Sequence, residues 1–153
     1  MQAQPADVYA KHAGELVRFA TVLVGPAAAE DVVADAVSRA FASPAWAAVT
    51  QPRPYLFRAV LNQARQVARA DRRRLRRELF AAPHDEVDGA APLVRLEVLD
   101  AMRRLSVRQR AVLFLTYWED LEASAAAAAL GVSTRTVERE LTTARRLLEV
   151  LLQ

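Results

Sequence analysis

The chain has 153 residues, with 21 Lys and Arg against 18 Asp and Glu, two His and no Cys. That length suits one compact domain or two small ones, and the missing cysteines exclude disulfide scaffolds, thiolate nucleophiles and Cys-based zinc or iron–sulfur sites. His12 and His84 are too far apart in sequence to suggest a metal site, so neither a metal nor another cofactor is expected.

Residues 7 to 23 place Val8, His12, Leu16, Phe19, Ala20 and Leu23 at three- and four-residue spacings, which predicts an amphipathic helix stopped by Gly25 and Pro26. Pro26 suits the opening of the next helix, where Val32, Val33, Ala36, Val37, Ala40 and Phe41 point inward and Glu30, Asp31, Asp35 and Arg39 largely outward. Residues 43 to 54, with Trp46 and several prolines, predict a loop holding at most one helical turn. From Tyr55 the helical spacing returns through Leu56, Ala59, Val60, Ala64 and Val67 and runs into a block of arginines centred on residues 69 to 77.

Charge is distributed unevenly. Residues 53 to 77 hold nine Arg and one Asp, a balance of +8, whereas residues 78 to 100 balance at −5. A basic face of that density attracts a polyanion. The choice of Arg over Lys, with Lys11 the single lysine, follows from overall composition as readily as from function; the clustering does not.

Residues 81 to 92 (AAPHDEVDGAAP) lack periodicity and read as a flexible acidic linker. Helical spacing resumes at Leu93 through Leu96, Leu99 and Met102, and Ser106 is a candidate cap for a helix over Val107 to Trp118. The expected fold is all-α: two small helical domains, 1–79 and 93–153, joined by the flexible acidic linker at 80–92. Charged residues break every apolar stretch of near-spanning length, and no leader pattern opens the chain, so a cytoplasmic protein without membrane insertion is expected.

The most specific pattern is LEASAAAAALGVSTRTVERELTTARRLLEVLL at 121 to 152. Glu122 to Leu130 predicts a short helix, Gly131 supplies a left-handed turn and Ser133 caps a second helix from Thr134. Val137, Leu141, Ala144 and Leu148 then face inward, leaving Thr134, Arg135, Glu138, Arg139 and Thr142 outward. This is a helix-turn-helix, whose second helix enters a DNA major groove. Arg135 and Arg139 can reach base edges or phosphates, and Glu138 can accept from a cytosine amino group or orient an arginine. An ordinary helical hairpin with a mixed-charge face is the alternative. No Walker loop, dinucleotide fingerprint or oriented general base appears, so no enzymatic activity is expected.

These residues resemble the extracytoplasmic-function (ECF) group of bacterial RNA polymerase sigma factors. AAAEDVVADAVSRAF at 27 to 41, PRPYLFRAVLNQARQVARADRRR at 52 to 74 and LSVRQRAVLFLTYWEDL at 105 to 121, followed by the helix-turn-helix, look like that family's successive elements. The resemblance implies a first domain that docks on the polymerase clamp and recognises and melts the downstream (-10) promoter element, and a second that reads the upstream (-35) element. It implies core RNA polymerase and promoter DNA as partners, with an anti-sigma factor as a further one that inserts between or around the domains.

Carried onto this chain, it makes Asp31, Asp35 and Arg39 polymerase contacts, and Asn62, Arg65, Arg69, Arg72 and Arg73 nucleic-acid contacts on the helix from Tyr55. The loop at 43 to 54 would receive or guard a base flipped from the downstream element, at an unstacking cost of about a few kcal/mol. Thr134, Arg135, Glu138, Arg139 and Thr142 would read the upstream element, and Arg108 and Arg110 would clamp its backbone. Phe114 and Tyr117 suit either core or polymerase contact. The chain departs from the family at Glu138 and Glu140, where a basic residue is frequent, at Thr143 in place of arginine, at Ala34 in place of glutamine and at Tyr55 in place of tryptophan. A stand-alone helix-turn-helix regulator, or a sigma-like adaptor with weakened DNA binding, are the alternative functions.

Overall fold

The computed structural model describes residues 4–78 and 100–153. Helix α1, Pro5–Val24, begins with proline in its first turn, where a missing N–H leaves nothing unpaired, and buries Val8, Leu16, Phe19, Ala20 and Leu23. Gly25 ends it at φ +87°, a conformation that disfavours side chains, and the next proline starts α2, Pro26–Ala42. The buried side of α2 is formed by Ala29, Val32, Val33, Ala36, Val37 and Ala40, while Phe41 is half-buried. In the segment expected to loop, Ser43 accepts a hydrogen bond from the Ala45 amide at 3.2 Å and opens a 3-10 turn, Pro44–Ala48. Its Trp46 ring stands 4.7 Å from Phe41 and 5.8 Å from Tyr55, centroid to centroid, so the three aromatics fasten the turn to α2 and α3.

Helix α3, Pro52–Glu78, has 27 residues, a length of about 40 Å at 1.5 Å per residue. Leu56, Phe57, Val60, Leu61 and Ala64 occupy its buried side in the first half. The second half carries the arginine block beyond the core. The side chains of Arg76 and Arg77, the linker at 80–92 and the helical start expected at Leu93 lie outside the described residues.

Residues 100–104 form α4. A capping box then starts α5, Val107–Tyr117: Ser106 Oγ accepts from the Gln109 amide at 3.1 Å, and the Gln109 side chain accepts from the Ser106 amide at 2.9 Å. The sequence reading carries this helix to Trp118. The structure stops it one residue earlier and leaves Trp118 as its C-cap, 72% exposed and stacked on Phe114 at 6.3 Å. The chain turns through Asp120 at φ +52° into α6, Ala123–Leu130, and α7, Thr134–Leu151.

The fold is all-α, with two helical clusters, α1–α3 and α4–α7. They pack into one continuous core, since α5, α6 and α7 contribute Val112, Phe114, Leu115, Ala126 and Val137 to the same buried cluster as Leu16, Phe19 and Val60. Phe19 sits at the junction, its ring centroid 4.9 Å from Phe57 and 5.4 Å from Phe114. A smaller cluster of Leu105, Leu113 and Ala144, with Met102, Leu141 and Leu148 against it, belongs to the second half alone.

Candidate nucleic-acid interface

The turn between α6 and α7 is held at several points. Gly131 takes φ +70° and ψ +33°, its amide bonding back to the Ala127 carbonyl. The Val132 amide donates to the same carbonyl at 3.0 Å. Ser133 Oγ accepts from the Thr136 amide at 3.1 Å, so the first turn of α7 is capped. Val137 and Ala144 are fully buried and Leu141 and Leu148 half-buried, which fixes the rotation of α7 about its axis. Thr134, Arg135, Glu138, Arg139 and Thr142 therefore all stand exposed, as their spacing predicts. Arg135, Glu138 and Arg139 form no ion pair among the described residues. The Thr142 hydroxyl donates to the Glu138 carbonyl at 2.9 Å, leaving its lone pairs for a ligand.

Along α3, Asn62, Arg69, Arg72 and Arg73 are exposed and Arg65 is half-buried. Between α2 and α3 lies a cleft of about 270 Å³ lined by Arg39, Ser43, Tyr55, Asn62, Gln63 and Gln66, among others. Arg39 leans into it, donating to Gln63 Oε1 at 3.1 Å and Gln66 Oε1 at 3.4 Å. It thus crosses to α3, whereas Asp31 and Asp35 stay on the open face of α2.

Arg108 and Arg110, which the sequence separates from the α3 arginines, are brought beside them. Burial, and then the nearby Arg108 and Arg69, hold the Arg65 guanidinium below its ordinary pKa. Burial and Arg72 do the same to Arg110. Arg65 and Arg110 remain charged near neutrality, because a guanidinium does not lose its proton in that range. Glu140 lines the cleft between these arginines. It is half-buried there, while Glu138 projects from the reading face, so the two acids that depart from the family pattern occupy different surroundings. Phe114 is buried and Tyr117 is 55% exposed, its hydroxyl accepting from Arg145 Nε at 2.6 Å.

Two further arginines, which the sequence reading left without a role, tie the clusters together. Arg53 Nε donates to Glu15 Oε1 and its Nη2 to Glu119 Oε2, each at 3.0 Å. Arg58 Nη2 donates to the Ala128 carbonyl at 2.9 Å, at the C-terminal end of α6, where the helix dipole favours a cation. Long-range pairing of this kind leaves no mark in helical periodicity. Among the described residues no His, Cys, Asp and Glu group could hold a metal, and no helix is long and apolar enough to cross a membrane.

Residues 95–148 match the family model for sigma-70 region 4. Over 156 aligned positions the chain is 34% identical to the ECF RNA polymerase sigma factor SigL of Mycobacterium tuberculosis, covering 95% of this chain and 87% of that one. Among solved structures, it superposes with a TM-score of 0.71 on the sigma factor RpoE in complex with the anti-sigma factor NepR from Bartonella quintana, over 96% and 95% of the two chains. At 23% identity that likeness speaks for the fold. CnrH in complex with the cytosolic domain of CnrY gives a TM-score of 0.65 at 27% identity, over 97% of this chain and 86% of that one. Identity of this extent over nearly the full length shows that the chain belongs to the ECF family of RNA polymerase sigma factors, non-catalytic proteins of promoter recognition and transcription initiation.

Proposed function

We propose that α7 reads the upstream promoter element through Thr134, Arg135, Glu138, Arg139 and Thr142, and that α3 engages the melted downstream element through Asn62, Arg65, Arg69, Arg72 and Arg73. The observation that carries this reading is the capped, rotationally fixed α7, whose five outward side chains are all exposed. Such a helix presents base-reading groups to a major groove without reorganising. The cleft beside Asn62, Gln63 and Gln66 offers amide donors and acceptors to the edge of an unstacked base. Arg108 and Arg110 add backbone contacts.

Core RNA polymerase is the protein partner, with Asp31 and Asp35 on the open face of α2 as its contacts. Arg39 assists from the α3 side. The reading divides the chain into a polymerase-docking, downstream-element domain at 1–79 and an upstream-element domain at 93–153, with the protein acting in the cytoplasm. An anti-sigma factor is a further partner, supported by the two similar structures, RpoE with NepR and CnrH with CnrY.

Run-off transcription with purified core polymerase on a library of genomic fragments tests the reading. The expected result is added transcripts whose starts follow a shared pair of spaced elements. Folded protein with active core and no added transcription would overturn it.

A further inference from the structure

We propose that the cleft between α3, α5 and α7 is a binding site for a small multivalent oxyanion of the oligophosphate type, held by Arg65, Arg69, Arg72 and Arg108 with Arg110 beside them. Arg65, Arg69 and Arg72 follow one another at four- and three-residue steps, so they share one stripe of α3. The start of α5 faces that stripe with Arg108, and the resulting cleft has a volume of about 250 Å³. Its lining includes four arginines and one acid, Glu140, a balance of +3. None of the five arginines forms an ion pair among the described residues.

Two observations show a demand for an anion. The Nε atoms of Arg108 and Arg110 are buried without a hydrogen-bond partner, an arrangement that leaves the desolvation cost of each group uncompensated. Burial, and then a guanidinium across the helix boundary, also lowers the pKa of two of these groups, Arg108 acting on Arg65 and Arg72 on Arg110. An oxyanion in the cleft would lie against Arg108, one of the two arginines with an orphaned Nε, and neutralise the repulsion at the same time.

The shape selects the class of ligand. Guanidinium forks match the tetrahedral edges of phosphate in pairs, and forks from two helices converge here. The volume falls below the ordinary range for organic ligands, about 300–1,000 Å³, so a compact anion suits it better than a nucleotide with its base and sugar. Ala68 and Val107 line the cleft among the arginines. The ligand goes beyond promoter reading, although the arginines are the ones assigned above to promoter DNA, and the site stands on the packing of the two clusters.

Isothermal titration of the full chain with inorganic pyrophosphate and with tripolyphosphate, at matched ionic strength against sodium chloride, tests the site. The expected result is saturable binding of one anion per chain, weakened at least tenfold in the Arg69→Gln/Arg72→Gln double variant. Both of those residues are exposed, so that variant keeps its fold, and Arg108→Gln supplies a second test from the other helix. Heats that follow ionic strength alone, or an affinity unchanged in both variants, would overturn the proposal. So would a short duplex of random sequence binding through these arginines where tripolyphosphate does not, since the cluster would then be a DNA surface. Neither polymerase nor promoter enters the assay, so its failure is distinguishable from a failure in run-off transcription.

Discussion

The outward face of α7 and the junction between α3 and α5 both present arginines, but they are built in opposite ways. On α7, Arg135 and Arg139 stand one turn apart in solvent with Glu138 and two threonines around them, and a single helix with its turn supplies the whole face. At the junction, arginines from two helices crowd together, Arg65, Arg108 and Arg110 half-buried and Arg69 and Arg72 exposed, and burial followed by neighbouring guanidinium groups lowers the pKa of Arg65 and Arg110. The first face survives as long as α6 and α7 stay packed. The second exists only while the two helical clusters are held together, so changes that loosen the junction should remove the second and spare the first.

Loosening the junction at its core has the largest expected effect. Phe19 is fully buried between the rings of Phe57 and Phe114, and Phe19→Ala should cost about 3–4 kcal/mol, as large-to-small changes in a well-packed core do. Urea unfolding followed by circular dichroism checks this. A loss below about 1 kcal/mol would mean that the two clusters do not depend on each other.

Gly131 belongs to both regions. Its φ of +70° disfavours any side chain, and a Cβ built there would lie 2.6 Å from Arg58 Nε. Gly131→Ala should therefore cost about 2 kcal/mol, combining left-handed strain with displacement of Arg58 from the Ala128 carbonyl. In an Arg58→Ala background the same change should cost less, because only the backbone strain remains. Equal costs in both backgrounds would show that the Arg58 contact contributes nothing to the junction.

On the reading face, Arg139→Ala should weaken binding to an upstream-element duplex by about 1–2 kcal/mol, roughly five- to thirtyfold. Fluorescence anisotropy at fixed salt against a panel of single-base variants separates the two possible contacts. A base contact gives relaxed preference at one position, whereas a phosphate contact gives a uniform loss with a shallower salt slope. Because Arg139 takes no part in the junction, thermal stability should not move.

The contrast also explains what sequence could reveal. Helical spacing located α1, α2, α5 and the α6–α7 turn, since each buries one face and is bounded by Gly25, Pro26, Ser106, Gly131 or Ser133, and it found the apolar side of α3 but began that helix at Tyr55, whereas the structure begins it at Pro52. The exposed set on α7 followed from the inward set of Val137, Leu141, Ala144 and Leu148. The helix expected over Val107 to Trp118 ends one residue earlier, at Tyr117, because an apolar residue at helical spacing extends the pattern whether or not it is buried, and the Trp118 ring lies on the surface. The junction was not legible. Arg53, Arg58, Arg108 and Glu140 find their surroundings 32 to 75 positions away in the chain, and nothing local distinguishes them from solvated charges.

The smallest predicted effect tests whether charge or packing holds the outer edge of that junction. Burial alone would raise the Glu15 pKa, but hydrogen bonds from Arg53 and His12 and their charges outweigh it, so the folded pKa lies below the ordinary 4.5. A carboxyl whose pKa is lowered on folding adds stability that is present above 4.5 and is lost as pH falls through the folded value. Arg53→Ala removes the principal partner, and Glu15 and Glu119 are only partly shielded from water, at 18% and 16% exposure. The expected loss at pH 6 is thus modest, about 1 kcal/mol. It should shrink as pH drops below 4.5, because protonated Glu15 no longer discriminates between the parent and the variant. Thermal unfolding of both proteins between pH 6 and 3.5 measures the difference. A gap that stays constant across that range would assign the role of Arg53 to its stacking over Phe57, 5.2 Å from the ring centroid, which does not titrate there.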